Sequence, residues 1–150
     1  IRNTASTCGG RWKKIMLVVG IPQYVQGLTN AKVDLTTTAV TTVYTAPSNA
    51  DFNSSIVSSI IVSNDSGSAD TITLTITGDG LSSTGTLTDH AFSLFQVKAV
   101  AANTSIELLT RDLVLQSGDI LKATAATGDR LHVIASIQEF ALHRTPQSAL

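Results

Sequence analysis

Ile72, Leu74 and Ile76 alternate with Thr71, Thr73, Thr75 and Thr77. Successive side chains on a strand point to opposite faces. The run therefore predicts a strand with one core face and one threonine face. The preceding run, Ile56 to Val62, is more continuously apolar and reads as a strand covered on both faces or near the centre of the core. Between them, Ser63 to Asp70 is made almost wholly of turn-forming residues. Ser54 to Gly80 is thus expected to be a β-hairpin, with the rest of the chain adding strands around it.

The same rhythm continues on either side. Ala31 to Thr37 alternates Val33 and Leu35 with Lys32, Asp34 and Thr36, and reads as the first regular strand. Ala39 to Ala46 is a second, stopped by Pro47-Ser48-Asn49. Residues 81–91 read as a polar loop. Phe92 to Val100, Ser105 to Leu109, Ile120 to Ala126 and Leu131 to Phe140 resume strand character, with turn residues between them. Phe52, Phe92, Phe95 and Phe140 are expected in the core. No segment carries a 3.6-residue apolar stripe with helix caps, and no βαβ alternation is visible. The prediction is an all-β, antiparallel β-sandwich or jelly roll of about eight strands with an extended N-terminal arm. Its expected divisions are residues 1–30 as basic arm and strap, 31–142 as the sandwich, and 143–150 as a C-terminal tail.

Composition adds a second theme. Charged residues are 14% of the 150, well under the roughly 25% of ordinary soluble domains. Ser, Thr and Asn carry much of the polarity. A hydroxyl-rich surface with little charge repulsion resists association poorly and suits a permanent neighbour. The expectation is a homo-oligomer or a larger assembly. The four hydroxyls Thr71, Thr73, Thr75 and Thr77 are the candidate contact face on the strands.

Charge is unevenly placed although the formal net is only −1. Residues 1–33 contain Arg2, Arg11, Lys13, Lys14 and Lys32 and no acid, whereas the rest holds all 11 acids. Arg11, Trp12, Lys13 and Lys14 form the candidate interaction cluster of the arm. A negative neighbouring subunit suits it; one short cluster with one aromatic is a weak nucleic-acid signal, and nucleic acid is not expected as a partner. No apolar run approaches the ~20 residues of a membrane helix. Ile15 to Ile21 after the basic cluster imitates the start of a signal peptide, but Pro22 follows at once. Met16 is a candidate initiator, which would make residues 1–15 an upstream extension.

Catalytic patterns are not found. His90, His132 and His143 share no ligand spacing, and the single Cys8 makes neither an internal disulfide nor a thiolate cluster. There is no GxSxG, and Gly78-Asp79-Gly80 leads into neither a lysine nor a helix signal. Asp79, Asp89, Asp112, Asp119 and Asp129 sit beside Gly, Ser or other loop residues, where aspartate caps turns. Asn64-Asp65-Ser66-Gly67 is only a fragment of a calcium loop. No enzyme activity, metal or cofactor is expected.

Three blocks in order carry a resemblance. They are Val33–Thr37 with Thr42–Pro47; Val57–Ser68 with Thr71–Leu74; and Leu115–Lys122 with a final strand and Glu139. Together, over Val33 to Glu139, they resemble small β-sandwich structural proteins of tailed bacteriophage virions, including those of phages of marine bacteria. The resemblance implies a virion component without enzyme activity. It would be a capsid decoration or cement subunit, with the major capsid protein as partner, or a neck or tail component set against neck or tail proteins. A receptor- or glycan-binding sandwich is the alternative from another class.

Overall fold

The computed structural model describes residues 23–48, 52–81 and 87–142. Every regular element among them is a strand, and all pairings are antiparallel. In chain order these are β1 (Gln23–Leu35), β2 (Thr41–Thr45), β3 (Phe52–Asn64), β4 (Asp70–Leu81) and β5 (Leu87–Val100), then β6 (Thr104–Glu107), β7 (Leu113–Gln116), β8 (Ile120–Ala125) and β9 (Leu131–Leu142). Sheet A runs β1-β9-β3-β6, with β7 also on β3; sheet B runs β2-β8-β4-β5. No helix among the described residues is long and apolar enough to cross a membrane.

The chain swaps sheets at almost every connection. β6 and β7 lie end to end on one edge of β3, opposite Ile61–Asn64 and Ser54–Val57 respectively. They act as one interrupted strand. Counted so, four strands face four in the interleaved order of a jelly roll. The all-β sandwich read from the sequence is therefore the fold.

The expected hairpin at 54–80 is not there. β3 pairs with β9, β6 and β7, while β4 pairs with β8 and β5. The turn-rich stretch is a corner that carries the chain from one sheet to the other, about 10 Å across. Buried Asn64 pins it: its amide donates to the Ser68 carbonyl at 2.9 Å and the Val100 carbonyl at 3.3 Å, and its Oδ1 accepts the Ser66 N–H at 3.0 Å. Asp70, also buried, accepts the N–H groups of Thr71 and Thr127. Both strands were legible; their mutual pairing was not, because their apolar faces meet across the core rather than side by side.

The core lies between the sheets. Val57, Ile60, Val62, Leu115, Leu131, Val133 and Ile137 from sheet A meet Ile72, Leu74 and Leu121 from sheet B. Burying each such side chain contributes about 1.5–3 kcal/mol. An irregularity between Val57 and Ser59 shifts the phase of β3, so Val57 and Ile60 both point inward.

Two boundaries and one core assignment differ from the sequence reading. β1 starts at Gln23, inside the stretch assigned to the arm, and its bulge between Val25 and Gly27 hides the alternation there. The loop expected over 81–91 includes the start of β5, since Leu87–Ala91 already pairs with β4. Phe92 is 51% exposed rather than in the core, while Phe95 packs against it.

Candidate assembly surfaces

Each sheet has an outer face, and the two are chemically different. The outer face of sheet A is a grid whose rows follow from the register. Leu28, Gln138, Ile56 and Val114 form one row. Asn30, Ser136 and Ser59 form the next, beside the bulged Ser58. Lys32, Ile134, Ile61 and Glu107 form the third, and Asp34, His132, Ser63 and Ser105 the fourth. Two partly apolar rows thus flank a serine row, with charge at the far end.

Leu28 is 78% exposed and Val114 58%; Ile61 and Ile134 are also on the surface. A depression between the first two rows is lined by Leu28, Asn30, Ser58, Ser136, Ile137 and Gln138. Ile56 and Ile61 are the residues that made β3 read as covered on both faces. Among the described residues nothing covers one of those faces, and there that half of the expectation fails.

The charged end of the face is organised by His132. Its Nδ1 lies 3.1 Å from Asp34 Oδ1 on β1, and its Nε2 lies 3.0 Å from Asp65 Oδ2 at the β3–β4 corner. The hydrogen bond to Asp65 is the chief cause holding the imidazole pKa above its ordinary value; burial opposes it and the Asp34 charge adds to it. As imidazolium, His132 donates to both carboxylates and ties an edge strand to a corner. Sequence reasoning left His132 as an isolated strand histidine. Asp34, Asp65 and His132 lie far apart in the chain, and only the β1–β9 register brings them together.

Glu107 closes the gap between β6 and β7. Its Oε1 accepts the Ile60 N–H at 2.7 Å and the Leu109 N–H at 3.1 Å, and its Oε2 accepts the Ser59 hydroxyl at 2.5 Å. Burial pushes its pKa up, but these hydrogen bonds outweigh it and the net shift is downward. A carboxylate thus takes a backbone donor that an unbroken strand would have paired.

The outer face of sheet B carries Thr71, Thr73, Thr75 and Thr77, all half-buried. Across the ladder they meet Thr124, Lys122 and Ile120 of β8, and Ala99, Ser93 and Ala91 of β5. Lys122, opposite Thr75, interrupts the uncharged face expected from the sequence. Thr73 is also engaged: its Oγ1 accepts the Val97 N–H at 3.2 Å. Val97 holds a φ of +51°, a conformation that β-branched residues rarely adopt. It sits exposed where β5 loses register with β4.

The other predicted interaction residues, Arg11, Trp12, Lys13 and Lys14, lie outside the described residues, as does the tail at 143–150. Among the described residues, no group of three or more His, Cys, Asp or Glu side chains is placed to hold a metal ion.

No protein-family model matches the chain, and no curated protein sequence matches it. Solved structures do. A chain in the structure of infectious bursal disease virus Gx strain aligns with a TM-score of 0.50 at 13% identity, over 83% of this chain and 33% of that one. A chain of the T13 viral particle of the same virus aligns at 0.46 and 13% identity, over 85% of this chain and 41% of that one. Eiger TNF from S. frugiperda aligns at 0.35 and 14% identity, over 82% of this chain and 99% of that one. This chain spans about a third of the length of the Gx-strain chain. At 13% identity that match establishes a shared β-sandwich fold.

Proposed function

We propose that the protein is a non-enzymatic structural subunit of a virus particle. Its specific place would be a capsid decoration or cement subunit of a tailed bacteriophage, set against the major capsid protein. The observation that carries this reading is the outer face of sheet A. Leu28, Val114, Ile61 and Ile134 all stand exposed on this one sheet face, and burying them in a lattice contact would be favourable. The likeness of fold to a chain of a virus particle supports the same reading. So does the resemblance of its strand and turn blocks to those of phage virion proteins. The hydroxyl-rich outer face of sheet B, with Thr71, Thr75 and Thr77, offers a second contact of low charge. On a repeating lattice, weak contacts of this kind gain strength through avidity.

Electron microscopy of particles lacking this subunit tests the proposal. A missing outer layer or knob at every lattice position, with particles that break at lower temperature, is the expected result. Loss confined to the portal vertex or tail would move the subunit to the neck or tail. Particles unchanged in surface and stability would overturn the virion reading.

A further inference from the structure

Among the described residues nothing covers the outer face of sheet A, and the chain contains a segment that fits it. The face has two partly apolar rows, Leu28–Ile56–Val114 and Ile134–Ile61, the second flanked by Lys32 and Glu107, and then the carboxylates Asp34 and Asp65 at its far end on either side of His132. The segment Arg11 to Ile21 has the same order in reverse, Arg11-Trp12-Lys13-Lys14 and then Ile15-Met16-Leu17-Val18-Val19.

The lengths agree. From Leu28 to Asp34 the face is six residues long, about 20 Å at a strand rise of ~3.3 Å per residue. From Ile21 back to Lys14 is seven residues, about 23 Å when extended. With Ile21 over the Leu28 row, Leu17 falls over the Ile134–Ile61 row. Lys13 and Lys14 then reach Asp34 and Asp65. In this register Val19 falls over the serine row and Ile15 over the His132 row, with the lysines just beyond, whereas the reverse register would set Lys13 and Lys14 at the apolar Leu28 row.

We infer that the outer face of sheet A receives residues 11–21 of a second copy of this chain. This deepens the lattice-subunit reading and rests on it. Delivery by a neighbour follows from where the segment joins the fold. β1 begins at Gln23, paired with Leu142 at a corner of the sheet. Pro22 precedes it, and a residue before proline is biased towards extended backbone. An extended Ile21-Pro22 would carry the segment outward past that corner, which favours a neighbour's face over its own.

Cross-linking of full-length chains tests this. Two chains of different tag mass, both Cys8→Ser, carry Leu17→Cys and Ile134→Cys respectively. They are mixed under assembly conditions and treated with a short bis-maleimide. A mixed-mass product joined through residues 17 and 134 is expected. It should disappear when Lys13→Glu and Lys14→Glu are added to the first chain. No mixed product, with both thiols still reactive, overturns the inference. So does a chain carrying both cysteines that closes on itself as a monomer, since its own arm would then cover the face. Circular dichroism of each variant confirms that the sandwich is intact. If particles bind the subunit in electron microscopy but no such product forms, the strap fails while the virion reading stands.

Discussion

Tyr44 and Glu139 join the two sheets through a part-buried hydrogen bond. Tyr44, on β2 of sheet B, donates its hydroxyl to Glu139 Oε1 on β9 of sheet A at 2.7 Å, and Ser55 on β3 donates to the same Tyr44 oxygen at 2.8 Å. Burial is the main cause that pushes the Tyr44 phenol up to about 12; the Ser55 hydrogen bond opposes it and Glu139 adds to it. Tyr44→Phe should cost about 1–2 kcal/mol of unfolding free energy, read by chemical denaturation. A raised pKa stabilises fully below the unfolded value near 10. The contribution should then be lost as pH climbs towards 12.

Glu107 substitutes for a missing stretch of strand. Glu107→Ala should leave the Ile60 amide without its acceptor and destabilise by about 1–2 kcal/mol. Faster hydrogen exchange at the Ile60 and Leu109 amides is the local signature. Glu107→Gln should keep much of the protection, since an amide oxygen accepts from Ile60 as well. Because the carboxyl pKa is lowered from 4.5, its contribution is present above that value and fades as pH falls through the folded one. Unchanged exchange in Glu107→Ala would remove Glu107 from this role.

The His132 clamp should make stability depend on pH in the opposite sense. The imidazole pKa is raised from 6.5, so its contribution is complete below that value and is lost as pH rises through the folded one. All three side chains are partly exposed, which limits the effect to about 1 kcal/mol or less. The melting temperature of the parent chain minus that of His132→Gln should shrink between pH 6 and pH 8. A difference that stays constant over that range would exclude a charged clamp.

Gly128 packs against backbone. A Cβ there would stand 2.4 Å from the Thr36 carbonyl oxygen, and that strand end is held because Asp129 donates its N–H to the Leu35 carbonyl at 3.0 Å. Gly128→Ala should destabilise by about 2 kcal/mol through overpacking. Gly67→Ala, with open space around it, is the matched control and should change the midpoint of denaturation little.

Fold class was legible because period-two alternation and turn chemistry are local. Ile72-Thr73-Leu74 and Leu131-His132-Val133 announce strands whatever they pair with. Sheet membership was not legible. β3 and β4 are neighbours in sequence, yet each takes partners more than thirty residues away, β9 for one and β8 for the other. Bulges hid more: those at Val25–Gly27 and along β5 break the alternation that marks a strand. Of the predicted contact residues, the threonines proved to be a sheet face of their own, although with Lys122 among them. The opposite face was signalled by the apolar-rich run at Ile56–Val62, whose surplus isoleucines had no place in a one-sided strand. The His132 and Glu107 arrangements depend on long-range register, and no local pattern reveals them.

The interrupted β6–β7 edge bears on crowding. An uncovered strand edge can recruit another chain by continuing the ladder, which is how folded sheets begin to fuse into fibres. Here that edge presents two pieces of four residues each, separated by a loop and plugged by a carboxylate. Neither piece is long enough to template much pairing. Many copies held side by side at high local concentration would therefore find little to zip together along this edge.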